Sequence, residues 1–269
     1  MTRFVAYAIY NIGIRIFNLL FLCYSFFNGK TAKIRLGRQQ LNRQLESASS
    51  AIPTIWFHCS SLGEWEQTIP VVGQLKDKLN IQVLISFYSS SGFENAKRQE
   101  LVDSMIYLPV DYYKAYTPVF SKLNIIGISF TRYDIWPNLV KNAVDRGIPL
   151  FLIGAETASL QRYLKPGSFF NHILRHFSFI SCNTSGTAEL LADAGFRNVY
   201  SDGSPKLERS AQVAASEYKN TVLEAWHKDS LVVIGGSIWH TEIVMLEKFF
   251  FDHRIKNLKL ILMPHEPSP

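Results

Sequence analysis

From Thr54 onward, short apolar runs alternate with stretches in which apolar residues recur at helical spacing. TIWFH (54–58), IQVLISF (81–87), MIYLP (105–109), IIGISF (125–130), IPLFLI (148–153), SFISC (178–182) and VYSDG (199–203) read as strands. Between them, Glu64–Leu79, Gly92–Val102, Tyr113–Leu123, Trp136–Arg146, Phe169–His176 and Thr187–Ala194 read as amphipathic helices. The apolar runs lack clean alternation, as expected of strands buried on both faces of a parallel sheet. Strand–helix repetition with short connections predicts right-handed βαβ units and a Rossmann-like α/β domain with a mainly parallel sheet. After a helical linker at Lys206–His227, a second rhythm begins with LVVIGGS (231–237), Glu242–Phe251 and LKLILMP (258–264). Leu231 to Pro269 is about 40 residues, where an α/β domain typically needs about 100 or more, so this part reads as the opening of a second domain. The expected organisation is a helix in 1–29, a complete domain in 30–205, a linker in 206–230 and an incomplete domain in 231–269.

The segment Phe4–Phe27 is apolar throughout apart from scattered polar residues and one charge, Arg15. As a helix it would rise about 36 Å, enough for a hydrocarbon layer about 30 Å thick. Asn11, Arg15, Asn18 and Ser25 follow helical spacing and form one narrow stripe. Such a stripe suits a helix lying in the membrane interface, or one that spans with its stripe against protein. Lys30, Lys33, Arg35, Arg38 and Arg43 follow at once, a cluster suited to anionic lipids of a cytoplasmic leaflet. The segment reads as a membrane anchor.

Composition narrows the chemistry. The 269 residues are 47% hydrophobic, which excludes a disordered tail or a collagen-like repeat. Lys+Arg of 28 against Asp+Glu of 22 leaves a formal charge of +6, which favours anionic partners. The basic residues gather near the anchor and do not interleave with aromatics, so nucleic acid is not expected as a partner. Cys23, Cys59 and Cys182 are scattered and form no CxxC pair, hence no disulfide framework or zinc site.

Ligands of open α/β sheets bind at strand C-termini, and several such loops carry candidate chemistry. His58-Cys-Ser-Ser-Leu-Gly-Glu64 leaves the first strand and enters a helix, which places Glu64 near free N–H groups. An ionised Glu64 there can accept a proton from an incoming hydroxyl. The same Ser61-x-x-Glu64 spacing is also a capping box with a purely structural use. Cys59 lacks a placed His–Asp partner for a nucleophile's role. Ser89-Ser-Ser-Gly92 is a small-residue turn able to present N–H groups to an anion, or an ordinary helix start. Asp134, in Tyr-Asp-Ile-Trp-Pro-Asn, stands at a helix mouth as either a ligand-binding acid or part of the helix start. Lys206 can counter a phosphate or carboxylate, and Gly235-Gly236-Ser237 opens a turn without the full GxGxxG pattern. His265-Glu266 has the residue types of a metal pair but no completed ligand set.

In order along the chain, HCSSLGEWEQ, SFYSSSGFENAK, YLPVD, RYDIWPN, NTSGTAELLADAG, DGSPKLER, IGGSIWHTE and LMPHEP, preceded by the anchor, resemble the bacterial 3-deoxy-D-manno-octulosonate (Kdo) transferases. The resemblance implies a GT-B fold, two Rossmann-like domains facing a cleft. It also implies inverting transfer of Kdo from CMP-Kdo to a lipid A precursor at the cytoplasmic face of the inner membrane, in lipopolysaccharide synthesis, with no separate cofactor or metal. On that resemblance Glu64 falls on the general base of a Ser-x-Gly-Glu motif, with Ser60, Ser61, Gly63, Ser91 and Asp134 on the acceptor side. Asp134 stands where many members have Glu, which shortens its reach. Lys206, Ser237, His265 and Glu266 fall on donor-binding positions, with His265 where many members have Arg. Two alternatives stay open: a GT-B enzyme using a nucleotide-diphosphate sugar, and an inactive membrane-attached piece of such an enzyme.

Overall fold

A computed structural model of the protein describes residues 3–46, 48–96, 99–216, 219–253 and 255–264. Helices α1 (Arg3–Tyr24), α2 (Gly29–Gln39) and α3 (Leu41–Gln44) precede β1 (Pro53–Cys59) and α4 (Leu62–Lys78). Then come β2 (Gln82–Phe87), α5 (Ser90–Asn95), β3 (Ser104–Tyr107), α6 (Thr117–Lys122), β4 (Asn124–Thr131) and α7 (Pro137–Asp145). They are followed by β5 (Leu150–Ala155), α8 (Thr157–Leu164), α9 (Phe169–Leu174), β6 (Phe179–Cys182), α10 (Ser185–Asp193) and β7 (Val199–Ser201). The chain continues through α11 (Pro205–Ala215), α12 (Thr221–His227), β8 (Leu231–Ile238), α13 (His240–His253) and β9 (Leu258–Pro264). Every run read as a strand forms one, and the first seven make one sheet in the order β3-β2-β1-β4-β5-β6-β7. All of its pairings are parallel, so the α/β expectation holds.

Both faces of the sheet are covered, as the absence of alternation required. On one face Trp56, Leu84, Ile106, Ile128, Leu152 and Ile180 pack with Leu139, Val140 and Ile173 from α7 and α9. On the other, Phe57, Val83, Ile85 and Phe87 pack against Trp65, Ile69 and Val72 of α4. Helix starts follow local chemistry: Ser61, Ser89, Ser168 and Thr184 each accept a backbone N–H of the following helix.

The structure corrects three local expectations. The stretch read as Gly92–Val102 is shorter and starts earlier, as α5, because Ser89 caps it. Helix α8 was not expected: its start at Glu156 carries no side-chain cap hydrogen bond, so the usual start signal is missing. The basic cluster after α1 is helical, and not all of it is open to lipid. Arg38 donates from Nε to the Leu108 carbonyl at 2.8 Å, and Lys33 pairs with Glu94 at 2.8 Å.

The chain divides into two compact units, Met1–Val213 and Ala214–Pro269. Most of α11, expected as linker, packs with the first unit: Arg209 pairs with Glu66 of α4 at 2.7 Å, and Gln74 donates to Glu208 at 3.0 Å. In the second unit β8 and β9 form a parallel pair, with Leu231 opposite Leu258, and α13 lies between them in sequence.

Gly37 shows how tightly α2 docks. A Cβ at this position would lie 2.1 Å from Cδ2 of Tyr107, whose ring is stacked on Phe93 at a centroid distance of 4.1 Å. Alanine is the better helix former by about 1 kcal/mol, but overpacking costs about 1–3 kcal/mol. Gly37→Ala is therefore expected to lower stability by up to about 2 kcal/mol in a denaturant titration, against a gain of about 1 kcal/mol if packing were loose.

Candidate active site

Strand order reverses beside β1, whose neighbours β2 and β4 lead the chain outward in opposite directions. Crevices at such switch points, at the C-terminal strand ends, are where open α/β sheets bind ligands. The loops after β1 and β4 meet there, and they carry Glu64 and Asp134.

Glu64 lies in the first turn of α4, on its buried face. Ser61 caps this helix, its Oγ accepting the Glu64 N–H at 3.4 Å. A closed capping box would return the carboxylate to the Ser61 N–H. Instead, Glu64 Oε2 accepts the backbone N–H of Ser60, one residue earlier. Among the described residues its Oε1 accepts no hydrogen bond. The helix cap is thus made by Ser61 while the carboxylate is held off it, fixed at one oxygen. Burial pushes the Glu64 carboxyl above its ordinary range, and the negative charge of Asp134 adds to this. The Ser60 N–H, His58 and Arg132 act in the opposite sense.

Asp134 is the meeting point of the surrounding network. Its Oδ2 accepts from His58 Nε2 at 2.9 Å, from Trp136 Nε1 at 3.0 Å, and from the Ser60 hydroxyl. His58, on β1, is fully buried, with Nδ1 2.9 Å from Ser86 Oγ on β2. Trp56 Nε1 reaches the same Ser86 Oγ at 2.8 Å. Ser86 on β2 is thus shared by Trp56 and His58, and His58 joins it to Asp134 in the loop after β4. Ser60 then joins the two carboxylates, its hydroxyl on Asp134 and its N–H on Glu64.

One wall of this site is aromatic. Trp136 stacks on Tyr88 with centroids 5.4 Å apart, and the Arg38 guanidinium lies 5.4 Å from the other member of the stack, Tyr88. On the far side Arg132, in the left-handed region at φ 66, pairs with Glu156 at 2.8 Å. A non-glycine residue is strained there, and such strain collects at functional loops.

The sequence candidates divide accordingly. Glu64, Ser60, Ser61 and Asp134 come together, and Gly63 lies in the same helical turn, where a Cβ would meet Ser61 Oγ at an ordinary 3.9 Å. Ser91 is exposed on α5; the contact to the site loop is made instead by Ser89, whose N–H donates to the Ser60 carbonyl at 2.9 Å. Lys206 is exposed at the start of α11 and makes no described contact with Glu64 or Asp134. Ser237 belongs to the second unit, near the end of β8, at φ 57. His265 and Glu266 lie outside the described residues. Burial pushes the Cys59 thiol up to about 12, which leaves it no nucleophile's role. His58, Tyr88 and Trp136 were not named as site residues, and Arg38 was assigned to the lipid-facing cluster; the advance signal for His58 was its place at the end of a strand feeding the Glu64 loop.

Residues 30–209 match the family model of 3-deoxy-D-manno-octulosonic-acid transferase (kdotransferase). The chain is 25% identical to 3-deoxy-D-manno-octulosonic acid transferase of Aquifex aeolicus, over 81% of this chain and 56% of that protein. A probable mitochondrial 3-deoxy-D-manno-octulosonic acid transferase of Arabidopsis thaliana is 32% identical over 42% of this chain and 26% of the relative. A bifunctional glycosyltransferase/methyltransferase of Fusobacterium nucleatum is 24% identical over 78% and 34%. The chain thus spans from about a quarter to just over half of the length of these relatives. Among solved structures, a putative UDP-N-acetylglucosamine 2-epimerase of Listeria monocytogenes superposes with a TM-score of 0.56 at 10% identity, over 80% of this chain and 63% of that one. The UDP-GlcNAc 2-epimerase of Methanocaldococcus jannaschii gives 0.55 at 13% identity, over 79% and 65%. At such identities the likeness shows the fold alone, which is of the GT-B type.

The electrostatics give a signed expectation. Asp134→Asn removes a negative neighbour and is expected to lower the Glu64 pKa; Arg132→Gln removes a positive one and should raise it. Carboxyl-carbon NMR titration of Glu64 in the two variants reads both directions, and unchanged midpoints would show that the three charges are not coupled.

Proposed function

Because the chain belongs to the 3-deoxy-D-manno-octulosonic-acid (Kdo) transferase family, we propose that it supplies the acceptor side of an enzyme that moves Kdo from CMP-Kdo to a lipid A precursor. The observation that carries this reading is the Glu64 carboxylate, buried at the switch point and fixed at one oxygen by the Ser60 N–H. In the proposed step Glu64 takes the proton of an acceptor sugar hydroxyl as that oxygen attacks the anomeric carbon of Kdo. The bond from that carbon to the phosphate oxygen breaks, CMP leaves with the electron pair, and configuration inverts. Burial that raises the Glu64 pKa also makes its carboxylate a stronger base, which favours this role at neutral pH.

Asp134 is a positioning residue in this reading. It is held by His58, Trp136 and Ser60, and through Ser60 it fixes the loop that fixes Glu64. The Trp136–Tyr88 stack offers a flat apolar surface of the kind sugar rings pack against. Lys206, Ser237, His265 and Glu266 stay as proposed contacts to the donor, whose phosphate charge basic groups and helix N-termini offset. The apolar α1 and the lysines and arginines that follow it favour attachment to anionic lipid at the cytoplasmic face of the inner membrane.

The test is Glu64→Gln, assayed in a transferase carrying both domains. Turnover is expected to fall by about 10²–10⁴ with CMP-Kdo binding largely retained. A raised native pKa means that the folded state favours neutral Glu64: that stabilisation is full below the unfolded pKa and is lost as pH rises through the folded one. At neutral pH the neutral Gln should therefore leave stability unchanged or improve it. Near-normal transfer together with lost stability would return Glu64 to a structural role.

A further inference from the structure

The face of α1 that touches the protein runs along the whole helix. Ala6, Tyr7, Tyr10, Asn11, Ile14, Asn18, Phe21 and, just past its end, Ser25 are buried or half-buried, at the spacing of one helical stripe. Three of the four polar residues of the expected stripe, Asn11, Asn18 and Ser25, lie on this covered face, while Arg15 is exposed. Toward the N-terminus Tyr10 donates to Asp111 Oδ2 at 2.7 Å, and Asn11 Oδ1 accepts from Asn138 Nδ2 at 2.8 Å. The Tyr7 ring meets Phe169 of α9 edge-on, with centroids 4.9 Å apart. Toward the C-terminus Phe21 packs with Ile34 and Tyr107, and the Arg38 guanidinium lies 5.2 Å from its ring.

Asp111 is the clamp at the first end. It is buried, and its carboxylate also takes the Tyr116 hydroxyl at 2.6 Å and the N–H groups of Asn138 and Leu139 at 3.0 and 3.1 Å. A carboxylate so placed needs each of these donors, so Tyr10 is held as firmly as the core residues around it. The other face of α1 is apolar and open: Phe4, Ile9, Ile12, Ile16, Leu19 and Leu20 are all exposed. A stripe this long in water calls for an apolar cover.

We propose that α1 lies flat in one leaflet, parallel to the membrane surface, with both of its ends on the side of the catalytic domain. From Tyr7 to Ser25 the helix advances about 27 Å, nearly the thickness of the hydrocarbon layer. A crossing helix would carry its attached protein surface through that layer, because the domain holds it at both ends. Arg15 gives a second reason. It stands midway between Phe4 and Phe27, which in a crossing helix is the bilayer centre, the costliest depth for a charge. In a flat helix its long side chain reaches the headgroups. The occupant of the open face is therefore anionic lipid, drawn also by the neighbouring Lys30 and Arg35.

This inference rests on the membrane reading above, and one experiment separates the two. Ile9, Ile16 and Cys23 are exposed and spaced seven residues apart on one face, while Cys59 and Cys182 are buried. A thiol-reactive fluorophore is placed on Cys23 in the natural chain, and on Ile9→Cys or Ile16→Cys with Cys23→Ser. The full chain is bound to vesicles containing anionic phospholipid, and quenching is measured with lipids labelled at shallow and deep positions. A flat helix gives the same shallow depth at all three sites. A depth that changes by about 10 Å from each site to the next would mean a crossing helix, overturning the inference while membrane attachment stands. No quenching at any site, with the chain free in solution or paired with a second copy through α1, would overturn both.

Discussion

The site depends on holding two carboxylates, a buried Glu64 and a half-buried Asp134, on a shared set of donors. Glu64 and Asp134 come from loops after different strands, and their charges repel. What permits the arrangement is that Ser60 serves both, its hydroxyl on Asp134 and its N–H on Glu64, while His58 and Trp136 complete the donor set of Asp134. A buried carboxylate with one partner removed is a large cost, whereas a satisfied cluster fixes geometry. Sheet order supplies the rest: because β1 lies between β2 and β4, His58 can reach Ser86 on one neighbour and the loop of the other.

The fold was legible because its signals are local. Seven apolar runs without alternation could only be strands covered on both faces, and their boundaries shift by a residue or two in the structure. The third strand, read through Pro109, ends at Tyr107. The anchor's polar stripe also read correctly as a face, with Arg15 the exception: it sits beside the stripe and turns outward, where a long side chain needs no partner. Unexpected α8 follows a strand directly and opens on an uncapped residue, so nothing in its sequence marks a start.

The site was only half legible. Spacing brought Ser61 and Glu64 together correctly as a cap, but it could not show that the carboxylate bypasses Ser61 for Ser60, because both geometries fit one sequence. The His58–Asp134 contact joins residues 76 positions apart and depends on β1 pairing with β4, which no local pattern encodes. Arg38 was read as part of a lipid-facing cluster; the structure turns it inward onto Tyr88 and the Leu108 carbonyl. A basic residue in a cluster is thus an ambiguous signal until its helix has a face.

The short side chain at position 134 shows how these contacts set the site's shape. A shorter acid holds its carboxylate nearer the backbone, and here that places Oδ2 within reach of Trp136 Nε1, two residues on, as well as His58. The indole is thereby pinned flat against Tyr88, and its neighbour Pro137 starts α7. The same helix start is held from the other side, where Asp111 takes the Asn138 and Leu139 N–H groups together with the Tyr10 hydroxyl of α1. One turn of α7 therefore connects Asp134 to the apolar helix through a chain of buried and half-buried hydrogen bonds. A rigid connection of this kind keeps the crevice at a constant height above whatever surface α1 rests on. On the proposed reading, in which Glu64 is the base and the acceptor's apolar part stays in a lipid layer, a constant height lets one carboxylate meet one hydroxyl.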